Sequence, residues 1–182
     1  MVLQFACSKA GFVLYSLDPA LAAADPAKAQ KALEAALTLT KANVLVSQEA
    51  GSDVNYCRLA DGVVPELRIF DYSSGMPFVT PRFPDLRFCL HTGFDQEDKW
   101  GWLPLRHMVV PSNNLDSHVD TSKISAATPL AGELVLDKDG IPVSTGKVIL
   151  SNEQVHAKRI WPTYSNILDR TFHEVDGVGV VF

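Results

Sequence analysis

Hydrophobic positions along the chain follow two different rhythms, and the change comes near Asn43. Upstream of it, Ala29, Leu33, Ala36, Leu37 and Thr40 recur at spacings of three and four, with Lys28, Lys31, Glu34 and Lys41 largely off that stripe. This period gathers apolar side chains on one face of an α-helix. Asp25 suits the N-cap, where its carboxylate accepts from free amides of the first turn. Pro26 suits the next position, where a missing N–H costs nothing. The pattern predicts a helix over 27–42 with Asn43 as its stop, and the similar Asp18-Pro19 pair predicts a short helical turn over 20–24.

Downstream the pattern shortens. Segments 44–46, 54–59, 67–72 and 86–91 are rich in β-branched and aromatic residues and read as strands. Gly51-Ser52-Asp53, Asp61-Gly62 and Ser73-Ser74-Gly75 read as the turns between them. Pro77, Pro81 and Pro84 favour an extended connector over a central strand. Further strands are predicted at 107–110, 133–136, 147–150, 155–160 and 178–182, with a long polar loop over 111–128 and a helical turn over 165–170. Gly140 suits the left-handed position of a hairpin turn after Asp137-Lys138-Asp139. The resulting expectation is a single α+β domain over 1–182, with one clear N-terminal helix packed on a largely antiparallel, strand-rich sheet.

Composition supports a folded chain and narrows its partners. The 182 residues are 47% hydrophobic and 20% charged, enough for a core without staples. With 16 basic and 21 acidic residues the net charge is -5, and no basic stripe exists to displace counterions from phosphates. Nucleic acid is therefore excluded as the expected partner. No apolar run approaches the ~20 residues that span a bilayer, so no membrane partner is expected. The apolar stretch 10–17 is too short and too weakly preceded by positive charge for a signal peptide. Cys7, Cys57 and Cys89 are odd in number and widely spaced, which points to buried free thiols and a reducing, cytoplasmic setting.

Two motif resemblances fail on spacing. Ser144-Thr145-Gly146-Lys147 lacks the glycine of a phosphate-binding loop, since Ile141 stands there, and a strand-like Val148-Ile149-Leu150 follows. Asp137-Lys138-Asp139-Gly140 lacks the closing glutamate of a calcium loop, because Val148 holds that place. No cofactor and no metal site is expected.

Two constellations carry chemistry. On a strand, Arg87, Cys89 and His91 would share one face and Leu86, Phe88 and Leu90 the other. A thiol between a guanidinium and an imidazole is a candidate nucleophile. In Asp116-Ser117-His118-Val119-Asp120, His118 and Asp120 share a face when extended, the arrangement of a carboxylate orienting a general base. Against these stand the aromatic residues Trp100 and Trp102 beside Arg106, with Trp161 as a second aromatic edge, the residue types that dominate protein interfaces. The alternative role for Trp100 and Trp102 is a loop that folds back into its own core. The leading functional expectation is a non-enzymatic, protein-binding or self-associating protein that uses the aromatic loop and sheet edges. The alternative is a small hydrolase or transferase working through Cys89, His91, His118 and Asp120.

Overall fold

A computed structural model describes residues 2–49, 54–93, 101–105 and 120–157. Helices and strands are both present, so the mixed α+β class holds. The helices are α1 (Val2–Ala10), α2 (Ala20–Ala24), α3 (Pro26–Thr40), α4 (Tyr56–Val63) and α5 (Asn152–Ala157). The strands are β1 (Val44–Ser47), β2 (Phe88–His91), β3 (Leu103–Pro104), β4 (Pro129–Leu136) and β5 (Pro142–Ser151). The chain divides into two compact units, each built from separated segments. The described part of the first comprises 2–15, 120–133 and 146–157, and that of the second comprises 16–49, 54–93, 101–105 and 134–145.

In the second unit the predicted helix is in place. The Asp25 carboxylate accepts from the Lys28 amide at 3.0 Å, and Pro26 opens the helix. It ends earlier than the sequence suggested, because Lys41 adopts a left-handed conformation (φ 51°) and donates its N–H to the Leu37 carbonyl. Ala29, Ala32, Leu33, Ala36 and Leu37 form the buried face. The short turn after Asp18-Pro19 is also present as α2, with the Asp18 carboxylate accepting from the Ala20 amide.

The strands predicted over 54–59 and 67–72 do not form: the first becomes the start of helix α4 at Tyr56, and the second lies across two 3₁₀ turns and the irregular link between them. Asn55 caps α4 by accepting from the Arg58 amide at 2.9 Å, and the buried Cys57, Ala60, Val63 and Val64 recur with helical spacing. Local capping and this period outweighed the β-leaning composition. Pro65–Arg68 and Tyr72–Ser74 follow as tight 3₁₀ turns. Gly62 lets α3 and α4 approach: a Cβ there would sit 2.1 Å from Gln30 Nε2, whose amide donates to the Leu59 carbonyl.

The sheet of this unit runs in the order β1-β2-β3, and both pairings are parallel. The expected antiparallel dominance does not hold there, because the 48–87 connection is long enough to carry the chain back as a crossover through α4. Val44 pairs with Phe88, Leu45 with Cys89, and Ser47 with His91. Leu33, Leu37, Cys57, Ala60, Val64, Leu67, Phe78, Phe83, Leu86, Cys89 and Trp102 share one core under this sheet. The three-proline segment forms no strand, as expected, but it is not extended throughout: 81–85 is a run of turns, with the Phe83 amide donating to the Thr80 carbonyl and the Leu86 amide to the Phe83 carbonyl.

β4 and β5 form a separate two-stranded ribbon. Its turn is the predicted one, with Gly140 at φ 80° and its N–H donating to the Asp137 carbonyl. A connection this short returns the chain antiparallel. In the first unit, Leu14 bridges β4 at Ala131, donating to the Leu130 carbonyl and accepting from Gly132. The strand predicted over 155–160 begins as helix α5 instead, since Ser151 and Gln154 cap each other reciprocally. The predicted elements at 107–110, 165–170 and 178–182 lie outside the described residues.

Candidate functional site

Strand β2 does not turn Cys89 and His91 outward as the sequence suggested. Cys89 is fully buried and His91 is 1% exposed, whereas Phe88 is 47% exposed. Burial does not alternate along the segment: Leu86 and Leu90 are buried as well, and of the strand's residues Phe88 alone is exposed. Arg87 lies before the strand on the exposed side, and its guanidinium donates to the carbonyls of Pro84 and Leu86. It therefore gives the thiol no visible stabilisation.

The chemistry of Cys89 follows from that burial. Loss of solvent, then the nearby Asp61 carboxylate and Cys57, push its pKa up to about 12. A thiol in this setting is protonated at neutral pH, the reverse of what a nucleophile needs. Its backbone N–H donates to the Tyr72 hydroxyl at 3.1 Å. Burial likewise pushes Tyr72 up to about 12. Phe70 packs edge-on to Tyr72 and Phe78, closing the aromatic wall beside the strand.

Trp102 belongs to the same core. It is 4% exposed, and its indole N–H donates to Asp61 Oδ1 at 2.9 Å. Gly101 makes this entry possible, because a Cβ there would meet the Leu67 backbone at 2.4 Å, while its own N–H donates to the Leu67 carbonyl. Burial raises the Asp61 pKa, opposed by the Trp102 hydrogen bond and the charges of Arg68 and Arg58. The indole is thus occupied as an internal anchor and presents no contact surface.

Of the remaining candidates, Asp120 is exposed and its carboxylate accepts from both the amide and hydroxyl of Ser122. Those bonds hold its pKa below the ordinary carboxylate value. His118, Trp100, Arg106 and Trp161 lie outside the described residues. Among the described residues no group of three or more His, Cys, Asp or Glu side chains is placed to hold a metal, and no helix is long and apolar enough to cross a membrane.

The surface that stands out was not among the sequence candidates. On the β4–β5 hairpin, Val135 (40%), Leu136 (51%), Val143 (56%), Val148 (53%) and Ile149 (48%) are all exposed. A signal was available: in Val148-Ile149-Leu150 the period of two puts apolar side chains on both faces. A ribbon of two strands has no second layer of its own to cover them. No protein-family model matches this chain, and no curated protein sequence matches it.

Proposed function

We propose that this chain is a non-enzymatic, self-associating protein that joins a second copy of itself through the β4–β5 hairpin. The carrying observation is the open edge of β5, a ten-residue strand on which Val143, Val148 and Ile149 are exposed. Leu14 meets β4 near its start, while among the described residues β5 pairs with β4 alone. An edge strand offers a row of backbone donors and acceptors that another strand completes. Pairing β5 with the β5 of another copy presents the same surface on both sides, the condition for a closed two-fold dimer. Lys147 is the one charge along β5, a weak guard against such pairing.

Sedimentation of the intact protein across micromolar concentrations tests this reading. The expected result is twice the monomer mass, with V143K/I149K returning the monomer while the circular dichroism spectrum is unchanged. A monomer at every concentration, or a dimer that the double variant leaves intact, would overturn it. The monomer result would make a different protein the partner to seek.

A further inference from the structure

No further inference is drawn: the strongest candidate, the cleft beside the first turn of α3 lined by Asp25, Lys28, Lys31 and Asp139, rests on a helix N-terminus whose Lys28 is already paired with Asp139, with no second observation that points to a ligand.

Discussion

The described parts of the two units differ in their internal contacts. In the second, helices α3 and α4 and the parallel sheet enclose a broad apolar core that includes Leu67, Phe78, Leu86 and Trp102. In the first, the described core reduces to Leu130 and Val155, with Cys7, Ala131 and Leu150 packed against them. Among the described residues, polar contacts join this core. Asn152 accepts from the Ser8 hydroxyl at 2.7 Å, donates its amide to the Ser125 carbonyl, and donates its backbone N–H to Thr128. Burying one large aliphatic or aromatic side chain contributes roughly 1.5–3 kcal/mol, whereas an internal hydrogen bond nets about 1 kcal/mol. The second unit should therefore respond mainly to lost volume, and the first equally to lost hydrogen bonds.

The largest effects test that contrast directly. Phe78→Ala removes a buried ring stacked edge-on with Phe70, and it should cost about 3–5 kcal/mol in urea denaturation. Leu130→Ala should fall near the low end for such truncations, about 2 kcal/mol, because its described apolar neighbours are Val155, Cys7, Ala131 and Leu150. Asn152→Ala should rival it, at about 1–3 kcal/mol, by stranding the partners of its side chain. If Leu130→Ala costs as much as Phe78→Ala while Asn152→Ala costs nothing, the contrast between the units is wrong.

Alkaline pH probes buried acids in both units, since burial raises Cys7 in the first as well as Cys89 and Tyr72 in the second. Cys89 rises from 9.0 to about 12 and Tyr72 from 10.0 to about 12 in the folded protein. Both shifts raise the folded pKa, so between about pH 9 and 12 the unfolded chain binds fewer protons than the native one. Stability contributed by the protonated groups is present below pH 9 and is lost as pH climbs through that window. The loss should reach a few kcal/mol, taking roughly 1.4 kcal/mol per pKa unit and allowing for Tyr72 being only half-buried. Denaturation midpoints measured from pH 8 to 12 should fall, and Cys89→Ala should flatten the fall. A flat profile in the parent protein would show that this face of β2 admits solvent.

A smaller effect isolates the indole anchor. Asp61→Leu leaves the Trp102 N–H buried without its acceptor and should cost about 1–3 kcal/mol. Asp61→Asn keeps an acceptor oxygen and should recover most of that loss. Equal losses from both would assign the effect to the charge of Asp61 beside Arg58 and Arg68, in place of the hydrogen bond.

What the sequence made legible was local. Asp25-Pro26 with its alanine-rich stripe marked α3, and Asp137 to Gly140 marked the hairpin turn, because each depends on neighbours within a few residues. The segments at 54–59 and 67–72 were misread on composition. Asn55 at the N-cap and the Cys57/Ala60/Val64 spacing carried the helical signal in a segment whose aromatic and β-branched residues suggested a strand. Strand direction and facing were beyond local reading. Period two fixed that Cys89 and His91 share a face, but tertiary packing, of Cys89 with α4 and Trp102 among others, buries that face and Leu90 as well. The candidate site was misjudged for that reason: polar residues were assumed to point outward. The exposed hairpin followed from a tertiary fact, that β5 has one described partner strand.

The smallest predicted effects come from the helix starts, and they divide along the same line as the cores. Asp25 and Ser151 perform the same task, each accepting from an amide of its helix's first turn. An N-cap contributes about 0.5–2 kcal/mol when its residue is replaced by alanine. The surroundings differ. Helix α3 has fifteen residues and a buried face of five, so tertiary packing holds it helical after the cap is gone. Asp25→Ala should therefore lower the unfolding free energy by about 1 kcal/mol while leaving helix content intact. Helix α5 has six residues, and its cap is a reciprocal pair in which the Gln154 side chain also accepts from the Ser151 amide. Ser151→Ala breaks one arm and leaves the start of α5 resting on Val155, with too few turns to sustain a helix by itself. Its cost should appear as local fraying, with amide exchange accelerated over 152–157 and a midpoint change below that of Asp25→Ala. Protected amides in α5 after Ser151→Ala would show that apolar packing holds this helix as firmly as it holds α3, and would remove the distinction between the two units.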